Sequence, residues 1–218
     1  MLLLPFNKYF LFTSFLIWSV AADCQQGGEV FSLDTATVAG RKYIGALNDQ
    51  GFILTDSKGA TVLKHPGEFF LMQFKDFNND GYKDIFLDHG GNTPERYSVL
   101  VFVRSTGRFK ELKGLDQFPD PKPIAGTRYF YSYHKSGCAD ADWDSDLFSI
   151  DNYQAVKLGN ISGRGCNSSG VSGAIYIFSV RKEEKTLLKT LSIDLITQYK
   201  DKWNYIRKYW ADNYKEFI

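Results

Sequence analysis

The sequence predicts a mainly β protein, an antiparallel β-sandwich or barrel-like domain with an amphipathic α-helix at its C-terminus. Two observations carry this prediction. Aromatic residues make up 16% of the 218 residues, and such side chains favour the half-buried surface of a sheet. Short apolar or alternating stretches also follow one another with turn-forming residues between them, which is typical of all-β domains.

Composition excludes several classes of protein. Hydrophobic residues are 44% and charged residues 23% of the chain. These values are close to those of an average globular protein, so disorder, a collagen-like chain and a polytopic membrane protein are disfavoured. The net charge of +1 gives no electrostatic basis for binding nucleic acid. We therefore expect no nucleic-acid partner.

The first element, residues 1–22, is predicted to be a secretory signal peptide. Lys8 is its single charged residue, an apolar run follows, and the segment ends in the small residues Val20, Ala21 and Ala22. The alternative is an uncleaved membrane anchor, because about 20 apolar residues span a bilayer. We expect a periplasmic or secreted protein that contacts a membrane only if this leader is retained.

Residues 23–195 are predicted to form the β-rich domain. Several linkers between its apolar stretches are short and rich in Asn, Asp and Gly, which favours hairpins. Segment 113–126 holds three prolines and predicts a long surface loop. The candidate strands are 43–47, 51–55, 60–63, 69–74, 85–88, 97–103, 127–133, 146–150, 153–158, 171–180 and 186–193.

Residues 196–218 are predicted to form a helix that packs on the domain. Aromatic and aliphatic residues recur here every three or four positions, the period of one helix face. A basic amphipathic membrane helix is the alternative, but acidic residues dilute its positive charge. The predicted apolar face consists of Ile196, Tyr199, Trp203, Ile206, Trp210 and Tyr214.

The three cysteines take their meaning from export. In an oxidising compartment Cys138 and Cys166 can form a disulfide, worth roughly 3–4 kcal/mol on the chain-entropy argument. A metal site is disfavoured because no C-x-x-C pair and no neighbouring His are present. Cys24 is left over: a free thiol, a cross-link to another chain and displacement of one partner in this pairing all stay open.

Segment 76–84 carries the pattern of a calcium-binding loop. Oxygen-bearing side chains stand at its first, third, fifth and ninth positions, and Gly81 at the sixth allows a sharp turn. Ca²⁺ takes about six to eight oxygen ligands, which such a loop can supply. The alternative is an Asn/Asp-rich hairpin turn without metal. The predicted ligands are the side chains of Asp76, Asn78, Asp80 and Asp84 and the main-chain carbonyl of Tyr82.

This loop differs from an EF-hand. Leu87 stands at the twelfth position, where an EF-hand has Glu, and the flanking segments indicate strands. The loop resembles the calcium loops between strands of FG-GAP repeats in β-propellers, but the pattern occurs once. We therefore expect one structural ion that clamps a hairpin, with an affinity of about 10⁻⁴–10⁻³ M.

Other chemical signals in the sequence are weaker. Asp140, Asp142, Asp144 and Asp146 alternate, so on a strand they would share a face and repel unless a cation or solvent intervened. A second calcium site is one hypothesis, and a solvated loop rim is the favoured alternative because no Gly supplies a turn. The histidines are scattered and no G-x-S-x-G is present. We expect no catalytic residues and no enzymatic activity.

Several segments together resemble an exported bacterial family. They are the leader, the calcium loop, the block from Ser136 to Phe148, the Gly-rich stretch 159–166 and the aromatic tail. The resemblance is to calcium-binding immunity proteins that protect bacteria from peptidoglycan hydrolases delivered by type IV secretion, which are similar to periplasmic lysozyme inhibitors. It implies a β-sandwich, bound Ca²⁺, and a loop that enters the cleft of a peptidoglycan hydrolase.

The resemblance suggests three partner-binding residues. Ser172 and Tyr176 match the S-G-x-x-Y loop of lysozyme inhibitors, although residues 174–180 also read as a strand. Arg164, in a Gly-rich loop at 162–166, has the charge to pair with a catalytic carboxylate. The leading hypothesis is an exported, calcium-stabilised inhibitor of a lysozyme-like hydrolase. The alternative is a carbohydrate or cell-envelope binding module whose exposed Tyr and Trp stack on sugars, and a hydrolase is disfavoured.

Overall fold

A computed structural model describes residues 28–91, 95–166 and 173–218. Within these residues the chain forms three antiparallel sheets and one α-helix, which confirms the predicted mainly β class. No helix among these residues is long and apolar enough to cross a membrane. The predicted signal peptide and Cys24 lie outside the described residues.

Sheet A and sheet B come first in the chain, and each is a four-stranded antiparallel meander. Sheet A consists of β1 (Ser32–Val38), β2 (Arg41–Asn48), β3 (Gly51–Asp56) and β4 (Thr61–Pro66). Sheet B consists of β5 (Leu71–Lys75), β6 (Asp84–Asp88), β7 (Tyr97–Val103) and β8 (Arg108–Glu111).

Sheet C is seven-stranded, in the order β15-β14-β13-β12-β10-β9, with β11 paired to β12. Its strands are β9 (Lys122–Pro123), β10 (Tyr129–Tyr131), β11 (His134–Gly137), β12 (Asp142–Asp151), β13 (Gln154–Arg164), β14 (Ala174–Arg181) and β15 (Glu184–Ser192). The α-helix, α1 (Lys202–Asn213), follows, between two 3₁₀ segments at Ile193–Gln198 and Tyr214–Phe217.

The layers stack in the order sheet A, sheet B, sheet C and α1. Strand β6 of sheet B lies between two cores, and its residues are buried on both faces. Ile85 and Leu87 lie in the core between sheets A and B, and Phe86 lies in the core between sheets B and C. A strand that is buried on both faces reads as a continuous apolar run. On the far side of sheet C, Trp143 and Ile161 pack with α1.

One edge of the A/B sandwich is closed by side chains. The N–H of Phe74 donates to Asp34 Oδ2 at 3.0 Å, and the N–H of Met72 lies 3.5 Å from Ser32 Oγ. Edge strand β5 therefore gives its outward main-chain donors to side chains of edge strand β1. This satisfies groups that an exposed sheet edge would leave unpaired.

The helix docks on sheet C through Trp210, which is fully buried. Its indole N–H donates to Ser145 Oγ at 2.8 Å, and Ser145 Oγ donates to the carbonyl of Ser132 at 2.6 Å. Asp201 caps the helix by accepting the N–H of Asn204 at 2.8 Å. Because this cap starts the helix at Lys202, the predicted start at residue 196 was too early.

Every predicted strand is present, as β2 to β7, β10 and β12 to β15. Two local predictions were wrong. Segment 113–126 is not a surface loop, because Leu115, Phe118 and Ile124 are buried. In the Gly-rich stretch 162–166, the residues up to Arg164 belong to strand β13 and not to a loop. Gly163 has no side chain, which leaves room for the Trp143 ring.

The predicted Cys138–Cys166 disulfide is confirmed.

Candidate functional site

The predicted calcium loop connects β5 to β6 at one end of sheet B. Asp76 accepts the N–H groups of Asp80 and Gly81, at 3.2 and 2.8 Å, and Asp80 accepts the N–H of Tyr82 at 2.9 Å. Gly81 has a φ of 87°, a left-handed conformation that glycine adopts without strain. The loop is therefore wound around its own acidic side chains.

Asp84, the last predicted ligand, is fully buried below this loop. Its carboxylate accepts the N–H of Phe77 at 2.8 Å and the N–H of Phe102 at 2.7 Å. Burial raises the pKa of Asp84 from 3.8 to about 6, and the negative charges of Asp80 and Asp76 act in the same direction. Asp84 therefore places one carboxyl group out of contact with water, near the partly exposed Asp76 and the exposed Asp80.

The donor chemistry of the loop fits a hard cation such as Ca²⁺, because all five predicted ligands offer oxygen. Asp76, Asp80 and Asp84 do not bring three carboxylate oxygens within 4.8 Å of one another in the described chain. Part of the reason is local: Asn78 Nδ2 donates to Asp80 Oδ2 at 3.0 Å, and Asp84 faces main-chain donors. Calcium binding by this loop stays a prediction.

The loop is joined to sheet C by an aromatic stack. The ring of Phe77 lies 4.8 Å from that of Phe130, which lies 5.5 Å from Phe148, and Phe148 stacks on Phe118 at 4.3 Å. These rings fill the core between sheets B and C. On its other side, the ring of Tyr82 lies 5.4 Å from that of Phe102.

The four alternating aspartates each have their own partner. Cys166 donates its N–H to Asp142 at 2.9 Å. The ion pairs are Asp140 with Lys202 at 2.7 Å, Asp144 with Arg164 at 3.1 Å and Asp146 with Lys157 at 2.7 Å. Asp144 and Asp146 are buried in β12, so the expected solvated rim was wrong. Asp142 also lies beside Cys138 and Cys166, whose sulfurs are joined in the disulfide.

Arg164 is held by internal contacts. Its guanidinium donates to the carbonyls of Trp143 and Gly163 at 3.0 and 2.9 Å and to both oxygens of Asp144. Burial opposes the ionised form of Asp144, but hydrogen bonds from Ser136 and Ser162 and the charge of Arg164 lower its pKa. Tyr176 lies on β14, opposite Ser162, and is half-buried. Ser172 lies outside the described residues, and the partner-binding roles stay predictions.

Sequence reasoning missed two surface depressions. One, the basic cleft, has a volume of about 860 Å³ and lies where the tips of the β1–β2, β3–β4 and β7–β8 hairpins meet. The other, the aromatic groove, has a volume of about 270 Å³ and is lined by Tyr131, Tyr133, Trp203 and Arg207 with neighbouring residues. Both are assembled from distant segments, so no local pattern marks them.

A pair of acidic side chains was also missed. The pKa of Glu95 is raised to about 7, chiefly by a hydrogen bond with Asp120 and secondly by burial. Lys122 lies 2.6 Å from Asp120, and the N–H of Asp120 donates to the carbonyl of Glu95 at 3.0 Å. This arrangement closes a local contact between two loops, and Lys122 neutralises one of the two carboxyl groups.

Comparisons with known proteins do not identify a family for this chain. No family model matches the chain, and no curated protein matches it. One solved structure, that of a Xanthomonas type IV secretion system related protein, is similar at 13% identity and a TM-score of 0.45, over 73% of this chain and 87% of that one. At this level the likeness says nothing about shared function.

Proposed function

We propose that the chain is an exported, calcium-stabilised binding protein that inhibits a lysozyme-like peptidoglycan hydrolase by filling its cleft. The observation that carries the proposal is the loop at 76–84, in which oxygen-bearing side chains surround a tight turn above the buried Asp84. This loop is also the feature on which the resemblance to calcium-binding immunity proteins depends. Binding would block the partner's substrate cleft without turnover.

Calcium has a clear electrostatic role in this proposal. The pKa of Asp84 is raised to about 6, mainly by burial, so at neutral pH its ionised carboxylate destabilises the folded chain in spite of the two main-chain N–H groups that it accepts. A divalent ion held by Asp76, Asp80 and Asp84 would offset that charge. The side chain of Asn78 and the carbonyl of Tyr82 would supply the remaining protein oxygens.

Export is supported by the disulfide between Cys138 and Cys166. Such bonds form and persist in the periplasm and outside the cell, and they are rare in the cytosol. The predicted leader at 1–22 is consistent with this location. Together they favour a periplasmic or secreted protein, where peptidoglycan hydrolases also act.

The first experiment measures calcium-dependent stability. EGTA should lower the melting temperature of the wild type, because an ion at about 100 times its Kd stabilises by about 2.7 kcal/mol. Asp80→Ala should remove this sensitivity. Asp151→Ala, in which an exposed acid at the end of β12 is lost, should keep it. A wild-type melting temperature that EGTA does not change would refute the calcium site.

The second experiment measures inhibition. Excess protein should stop lysozyme, or the hydrolase encoded beside it, from clearing a peptidoglycan suspension, and Asp80→Ala should be weaker than Asp151→Ala. Release of sugars by the protein itself would indicate an enzyme instead. Full hydrolase activity at saturating protein would contradict inhibition of that hydrolase.

The aromatic groove favours a second candidate, a carbohydrate-binding module. Trp203 is 44% exposed, its ring lies 3.9 Å from that of Tyr133, and Lys202 lies beside both rings. An exposed ring flanked by polar groups is suited to stacking on a sugar. Retention on insoluble peptidoglycan that is lost in Trp203→Ala, but kept in Phe70→Ala, would favour this candidate over inhibition.

A further inference from the structure

The basic cleft lies at the open end of the A/B sandwich, at the tips of three hairpins. Its walls carry four basic side chains: Arg41, Lys42, Lys58 and Arg108. All four are exposed. Its volume of about 860 Å³ is in the range of ligand-binding clefts, about 300–1,000 Å³.

The positive charge of this cleft is not neutralised internally. None of the four basic side chains has an ion-pair partner within residues 28–91, 95–166 and 173–218. Asp56 is the single acidic residue in its lining, and its Oδ1 already accepts the N–H groups of Lys58 and Ala60 at 2.8 and 2.9 Å. The cleft therefore has an unmatched positive charge in a chain whose net charge is only +1.

The position of the cleft beside two outer strands favours an extended peptide. Val62 and Leu63 of β4 and Phe109 of β8 line it, and β4 and β8 are the outer strands of sheets A and B. Outer strands have main-chain groups that an added strand can pair with. Farther along, His65 Nε2 lies 3.4 Å from Glu111 Oε1, so these two strands approach each other beyond the cleft.

We propose that the basic cleft binds an acidic, extended peptide segment of a protein partner. The proposal rests on the protein-binding role given above, and it adds the chemistry of the segment that is recognised. Carboxylate side chains of the segment would pair with Arg41 and Arg108, which can hold a carboxylate through two parallel N–H···O bonds. Its main chain would lie along β4 or β8.

The test is a titration of full-length mature protein with a fluorescent glutamate-rich peptide. The wild type should bind it, and should not bind the same peptide with Gln in place of each Glu. The double variant Arg41→Glu with Arg108→Glu should weaken binding about tenfold or more, the change that 1.4 kcal/mol produces. The matched control Lys182→Glu with Lys200→Glu reverses two exposed charges outside the cleft and should bind normally.

Several results would overturn the proposal. They are equal binding by the two double variants, equal binding of the Glu and Gln peptides, and binding that persists unchanged at about 1 M NaCl, where the Debye length is about 3 Å. Heparin or inorganic phosphate binding without peptide binding would also overturn it. Inhibition is measured separately. If the wild type binds the peptide but leaves the hydrolase active, only the proposed inhibition is refuted. If the Arg41→Glu, Arg108→Glu variant inhibits the hydrolase as strongly as the wild type does, only the proposed role of the cleft is refuted.

Discussion

Replacing the buried Asp84 by Asn should change how stability depends on pH in the metal-depleted protein. Asp84 has a pKa of about 6 in the folded chain against 3.8 ordinarily, so the folded state holds this proton more tightly than the unfolded chain does. The free energy of unfolding of the wild type should therefore fall as the pH rises from about 4 to about 7. Asp84→Asn removes this contribution.

The size of the effect follows from the two pKa values. They differ by about two units, and each unit corresponds to about 1.36 kcal/mol, so the wild type should lose about 3 kcal/mol relative to Asp84→Asn between those pH values. The amide of Asn can accept only one of the N–H groups of Phe77 and Phe102 without a clash. That defect costs about 1–3 kcal/mol at every pH, so it cancels when the pH dependences are compared.

Urea denaturation followed by tryptophan fluorescence at several pH values gives the comparison. The difference in unfolding free energy between Asp84→Asn and the wild type should rise with pH, and Asp151→Asn should serve as the control. Millimolar calcium should weaken the trend, because the ion favours the ionised carboxylate and, at the expected affinity of about 10⁻⁴–10⁻³ M, stabilises the folded chain by about 0.4–1.4 kcal/mol. Parallel pH curves for Asp84→Asn and the wild type without metal would show that the burial of Asp84 has no such cost.

Three further changes test the fold around the site. Replacing both Cys138 and Cys166 by Ser removes a disulfide between residues that are 28 positions apart in the chain. The unfolding free energy measured in urea should fall by about 3–4 kcal/mol; a loss below about 1 kcal/mol would argue against this stabilisation by the disulfide. Gly163→Ala places a Cβ 2.1 Å from Trp143 Cε2 and should cost about 1–3 kcal/mol by the same assay, so a neutral result would mean that the ring moves freely. Trp210→Phe replaces a buried indole with a smaller ring, removes its hydrogen bond to β12, and should lower the melting temperature by several degrees in a thermal melt; an unchanged melt would mean that these contacts of α1 contribute little to stability.

The strands were predictable because the alternation of apolar residues and the turn formers are local. Where the prediction failed, polar strand sequences or very short strands had removed that signal. Edge strand β1, with the sequence SLDTATV, has mostly half-buried or exposed positions. Strand β9 has two residues, one of them proline. The prolines of 113–126 suggested the surface, yet Leu115 and Phe118, which precede them, fill the space between sheets B and C.

The surroundings of the site were less predictable because they come from distant parts of the chain. The loop at 76–84 was visible as a local spacing of oxygen-bearing residues. The partners of the alternating aspartates at 140–146 were not visible in the sequence, because Lys202 reaches Asp140 from α1 and Arg164 reaches Asp144 from β13. For the same reason the basic cleft needs three hairpins from two sheets to be placed before its charge becomes apparent.

The position of Phe77 would couple an ion bound in the predicted calcium loop to a more distant layer of the molecule. Its main-chain N–H is held by Asp84, while its ring stacks on Phe130 of β10. A shift of the loop that loosens the first contact must also disturb the second. Amide hydrogen exchange in β10 and in the segment around Phe118 should therefore report whether the loop is occupied, although these residues supply no ligand.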